Sequence, residues 1–153
     1  MSLELLGIPV EFDPDEVSEA EAVEKVEFYR EPFGRCPAAH RALIKRIVIN
    51  DWTHAQSSRD GTMRLTVRGS SGDVEHETGH HVSWQDDDKL LKMFARKFWR
   101  TGRASGLPVS RYAKSSLAED FAESYRCYVE RSLSEKSRSR FEWMEKYVGL
   151  EEA

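Results

Sequence analysis

Polar and apolar positions change their period along the chain, and the changes mark its elements. From Met1 to Val17 acidic residues are frequent and Pro9 and Pro14 interrupt any regular run, which predicts an extended acidic arm over residues 1–17. Ser18-Glu-Ala-Glu21 matches a capping box, so a helix is expected from about Glu19 to Tyr29, ending ahead of Pro32. The segment from Lys45 to Asn50 is rich in β-branched residues and reads as a strand. Thr62 to Val67 alternates, with Met63, Leu65 and Val67 on one face, and reads as a second strand after an Asp60-Gly61 turn.

After Gly69-Ser-Ser-Gly72 the period becomes helical and stays so. Asp73 can cap a helix reaching about Trp84. Leu90, Leu91, Phe94 and Phe98 share one face of a helix over about 87–100, which Gly102 and Gly106-Leu-Pro108 break. Ser115 or Ser116 caps a helix over about 117–133, and a last amphipathic helix carries Phe141, Met144, Tyr147 and Val148. Few strands followed by many helices describe an α+β domain, with a short, mainly antiparallel sheet ahead of a helical half. No repeat and no long linker divides residues 18–150, which are expected to form a single domain.

Composition narrows the classes of function. The 153 residues are 39% hydrophobic and 33% charged, as in an ordinary globular protein, and the net charge of -4 offers no field to recruit nucleic acid. Arg138 and Arg140 beside Lys136 are flanked by acidic residues and read as a solvated helix end. No apolar run approaches the roughly 20 residues that span a bilayer, so no membrane partner is expected. The N-terminus lacks the basic and apolar regions of a signal peptide; the chain as written is expected in the cytoplasm, with secretion or injection by another route left open. Cys36 and Cys127, without a C-x-x-C, read as partly buried thiols rather than a disulfide scaffold, and a monomer is expected.

Residues 76–80 read His-Glu-Thr-Gly-His. On a helix, positions i and i+4 share a face, so His76 and His80 can offer nitrogens to one ion while Glu77 stands beside them as a general base. Zn2+ suits this set because it accepts imidazole and carboxylate, keeps a position open and acidifies water. Gly79 keeps the helix slim, so that neighbouring backbone can approach. The plain alternative is two surface histidines on a capped helix. No histidine follows His81, which leaves a carboxylate as third ligand. Asp86, Asp87 and Asp88 follow too soon and look like the start of the next helix. Glu119 and Glu123, at i and i+4, are better placed: one can bind metal while the other orients an imidazole, unless both belong to a solvated acidic stripe.

Taken together, His76-Glu-Thr-Gly-His80, Tyr112 and Glu119-Asp-Phe-Ala-Glu123 resemble the catalytic domain of anthrax lethal factor and the Pro-Pro endopeptidases, over roughly residues 40–150. The resemblance implies a zincin-like domain in which Glu119 is the third ligand, Glu123 supports a ligand, and Tyr112, seven residues ahead of Glu119, donates to the oxyanion. Tyr112 is otherwise a loop aromatic covering the core. Asp73-Val-Glu75 departs from the apolar residues that usually precede the first histidine.

The expected function is zinc-dependent hydrolysis of a protein or peptide substrate, with Glu77 as general base and the Met63–Val67 strand offered to an extended substrate. Two other readings compete. Phage- and mobile-element-associated peptidases that cut repressors share the histidine pair and a later Glu, but leave the Tyr112 spacing and Glu123 unexplained. A zinc-stabilised binding or structural module without turnover would need a closed site, with His54 or His81 as a fourth ligand. His81 should point about 100° away from His80.

Overall fold

The computed structural model describes residues 2–106 and 108–150. By compactness the chain divides into two units, Met1–Glu77 and Thr78–Ala153.

In the first unit, residues 3–11 are not the expected extended arm. They form strands β1 (Leu3–Leu5) and β2 (Ile8–Glu11), an antiparallel hairpin with Leu5 opposite Ile8. Its two-residue turn, Leu6-Gly7, has positive φ at both positions (48° and 87°), which the twist of a tight hairpin favours. The apolar residues Leu5, Ile8 and Val10 are buried, and the acidic residues Glu4 and Glu11 that flank them are exposed.

Helix α1 (Glu19–Arg35) starts on the expected capping box: Glu21 N–H donates to Ser18 Oγ at 3.1 Å and Ser18 N–H to Glu21 Oε1 at 3.2 Å. The helix runs on through Pro32 instead of ending before it. Tyr29, Pro32 and Phe33 are buried, so packing of this face outweighs the one intrahelical bond that proline forfeits. A short helix, α2 (Ala38–Arg41), leads into β3 (Arg46–Asn50); β4 (Gln56–Ser58) and β5 (Thr62–Thr66) follow.

The five strands lie in the order β1-β2-β3-β5-β4. The sheet is mixed, not mainly antiparallel: β2 pairs parallel with β3, and β3 parallel with β5. A parallel pair needs a crossover, and α1 with α2 supplies the one between β2 and β3. Because β5 lies between β3 and β4, the Met63–Val67 segment is not an exposed edge; β4 holds that edge of the sheet. Met63 and Leu65 are fully buried and Thr62 and Thr66 nearly so, as suits a strand covered on both faces.

Helix α3 (Asp73–Ser83) contains the division between the units. The second unit continues with α4 (Gln85–Phe98), the two-residue strands β6 (Trp99–Arg100) and β7 (Arg103–Ala104), a single 3-10 turn at Tyr112–Lys114, α5 (Leu117–Val129), α6 (Leu133–Lys136) and α7 (Arg138–Tyr147). Asp86, Asp87 and Asp88 are left-handed, with φ of 50°, 54° and 63°, so regular helix in α4 starts after them. Helix α5 stops earlier than expected, because Arg131 turns left-handed (φ 68°) and Ser132 N–H reaches back to Cys127 O at 2.9 Å. This is a Schellman-type end made without the usual glycine.

One aromatic from each long helix meets at the core of this unit. The rings of Phe94 (α4), Phe121 (α5) and Trp143 (α7) stand edge-to-face, with centroids 5.2–6.1 Å apart. Beside them lies a wholly buried ion pair. Arg140 Nε donates to Asp120 Oδ1 at 3.0 Å and its Nη2 to Oδ2 at 2.7 Å, while Trp99 Nε1 donates to Oδ2 at 2.8 Å. Arg140 is therefore no part of a solvated helix end; it ties α7 to α5. No helix among the described residues is long and apolar enough to cross a membrane.

Candidate metal centre

The start of α3 explains the polar residues ahead of the histidines. Asp73 carboxylate oxygens accept from Ser70 N–H at 3.2 Å and Ser70 Oγ at 3.1 Å, which folds the preceding loop back on the first turn. Fully buried Glu75 pairs with Arg35 at 3.2 Å, at the C-terminal end of α1. Asp73-Val-Glu75 is thus fixed by partners of its own unit. The Tyr29 hydroxyl donates to Thr66 O at 2.9 Å beneath this turn, and burial, then the charge of Asp73, push its pKa well above the ordinary tyrosine value.

Further along the helix, His76, Glu77 and His80 are all buried or nearly so, at 8%, 5% and 9% exposure. Gly79 lies against α5, where a Cβ would meet Ala122 Cα at 3.0 Å and Tyr125 Cβ at 3.0 Å. A larger residue would hold the helices apart, so glycine here sets how near α5 comes. Ser116 Oγ caps α5 by accepting from Glu119 N–H at 3.2 Å, which places Glu119 in its first turn.

The outcome is a converging set of donors. His76, His80 and Glu119 each offer one ligand atom, and these atoms lie within 4.8 Å of one another. His80 Nε2 and Glu119 Oε1 are 3.2 Å apart. A tetrahedral ion with bonds of about 2.0–2.1 Å needs donors about 3.3 Å from each other, so the spacing of this pair fits such an ion as well as a direct hydrogen bond. The set is also chemically apt: two imidazoles and one carboxylate. Glu119 remains 19% exposed at its side chain, which leaves the group reachable from outside.

One aromatic, Trp84, packs against two of the histidines. Trp84 stacks on His80 with centroids 5.9 Å apart and meets His81 edge-on at 5.1 Å. His81 is buried and does not belong to the donor group, nor does His54. Tyr112 lies on the 3-10 turn ahead of α5 and is 56% exposed. Glu123, one turn beyond Glu119, accepts from Ser110 Oγ at 3.1 Å and from Arg126 Nε at 2.8 Å. Burial works against the Arg126 charge, but the hydrogen bond and charge of Glu123, with Glu130, leave its pKa raised. Cys36 and Cys127 are both buried, and burial pushes the Cys127 thiol up.

Sequence reading gives no role to Asp120, Ser110 or Trp84, and places Arg140 on the surface. Only Trp84 carried a signal, since an aromatic at i+4 from His80 falls on the same helical face. Comparison of the chain with family models, with curated proteins and with solved structures finds no match.

Proposed function

We propose that this protein is a zinc-dependent peptidase. One observation carries the reading: two imidazoles one helical turn apart and a carboxylate from another helix bring their ligand atoms within 4.8 Å, with one pair already 3.2 Å apart. Three protein donors leave a tetrahedral ion one position for chemistry. Zinc held there would supply a Lewis acid that polarises a scissile carbonyl and acidifies water.

The chain's own residues divide the remaining work. Glu77 follows His76 directly on α3 and is the proton carrier. Its carboxylate takes the proton from the attacking water and delivers it to the departing amine nitrogen, so one group serves as base and then acid. Tyr112 is the neutral donor, whose phenol O–H bonds to the carbonyl oxygen as negative charge gathers on it. Its exposure of 56% leaves the hydroxyl accessible to a substrate. Trp84, stacked on His80, keeps that imidazole in one orientation.

The test is cleavage of a peptide library by the zinc-loaded protein, read by mass spectrometry, with Glu77→Gln as control. Cleavage by the wild type and none by a Glu77→Gln variant that still holds zinc supports the reading. Equal cleavage by both contradicts it.

A further inference from the structure

Tyr112 presents a problem of aim. More than half of it is exposed and its backbone lies in a 3-10 turn, so how that turn is held bears on where the phenol points. That turn is short, Tyr112–Lys114, and follows a segment broken by Gly106 and Pro108.

Side chains bind it at both ends. On the near side, Ala113 N–H donates to Ser110 Oγ at 3.1 Å, and the same hydroxyl donates its proton to Glu123 Oε1 at 3.1 Å. A serine hydroxyl has one proton to give and lone pairs to accept with, and here both capacities are used. Glu123 is itself held by Arg126, through Nε to Oε2 at 2.8 Å and Nη2 to Oε1 at 3.4 Å, and Arg126 reaches on to Glu130 at 3.2 Å. On the far side, Ser115 Oγ donates to Tyr112 O at 2.7 Å, and Ser116 Oγ caps α5 at Glu119 N–H. The turn that carries the phenol is thereby fastened to the helix that carries Glu119 and Glu123.

We infer that Ser110, gripped by Glu123, is a positioning residue that latches the Tyr112 turn onto α5 and so aims the phenol. The catalytic consequence rests on the peptidase reading above; the latch itself does not. It gives Glu123 a task in addition to any support of a ligand, and it makes a loop serine a determinant of turnover rather than of metal binding.

The experiment compares Ser110→Ala, Ser110→Thr, Tyr112→Phe and the Ser110→Ala/Tyr112→Phe double variant. Amide hydrogen exchange is measured with and without zinc, followed by peptide kinetics. Ser110→Ala should exchange the amides of residues 112–115 about fivefold to tenfold faster, the factor one hydrogen bond is worth, with residues 120–128 and zinc content unchanged. Its kcat should fall roughly tenfold to a hundredfold while KM stays within about twofold, as for a misaimed group. Ser110→Thr, which keeps the hydroxyl, should restore both, and the double variant should be no slower than Tyr112→Phe alone. Unchanged exchange at residues 112–115 in Ser110→Ala overturns the latch. Fully additive losses in the double variant overturn its action through Tyr112. If the wild type cleaves nothing, the peptidase reading fails, and the exchange arm still decides whether the latch exists.

Discussion

Gly79 on α3 and Ala122 on α5 touch so closely that a Cβ on the glycine would stand 3.0 Å from the alanine Cα and 3.2 Å from its carbonyl oxygen. This contact governs the distance between His80 and Glu119, one residue along α3 and three back along α5. Gly79→Ala raises helix propensity by up to about 1 kcal/mol, whereas overpacking a buried contact costs about 1–3 kcal/mol. Ala122 and Tyr125 are fully buried and cannot yield easily, so the clash should prevail. The expected result is modest destabilisation with zinc affinity lower by about tenfold or more, measured by chelator competition. Zinc binding at wild-type strength would show that the approach does not set the site.

The buried Asp120–Arg140 pair anchors the helix that carries Glu119. Removing one partner leaves the other charged and buried, at a cost of about 3–5 kcal/mol. Arg140→Met should therefore lower urea stability by that order. Adding Asp120→Asn should recover part of the loss, since the stranded charge is gone. A single variant within about 1 kcal/mol of wild type would contradict the account of this pair.

Alkaline stability should depend on Tyr29. Its folded pKa is raised by burial and by Asp73, so the folded chain keeps the phenolic proton to higher pH than the unfolded chain does. The tyrosine's contribution is then whole below about pH 10, the unfolded value, and drains away as pH climbs beyond it. Tyr29→Phe also loses the bond to Thr66 O and should cost about 1–2 kcal/mol at pH 8. The gap between variant and wild type should narrow above pH 10. Urea titrations at pH 8 and pH 10.5 check this, and a constant gap would contradict it.

How much of this was legible in the sequence follows from which interactions are local. The capping box at Ser18 and Glu21, the serine cap of α5 and the i, i+4 histidines are short-range signals, and the structure has the helices they predict. Gly79 was legible too, because a glycine inside a helix asks for a reason. Strand order was not: which strands pair in parallel depends on where α1 carries the chain, and nothing near Arg46–Asn50 encodes it. The β1–β2 hairpin was hidden by Pro9 and by Leu6, a residue that seldom takes positive φ. Arg140 carries the same local pattern as its exposed neighbour Arg138; only the distant Asp120 distinguishes them. The Ser110–Glu123 link, spanning thirteen residues, was equally out of reach.

The most direct test of the central claim is the zinc content of the purified protein beside His80→Ala, Glu119→Ala and Glu77→Gln. The account predicts about one zinc per wild-type chain and per Glu77→Gln chain, with metal lost or loosened in the other two. A wild type that takes up no zinc even when it is supplied, or that holds it as firmly without His80 and Glu119, would contradict the proposed centre.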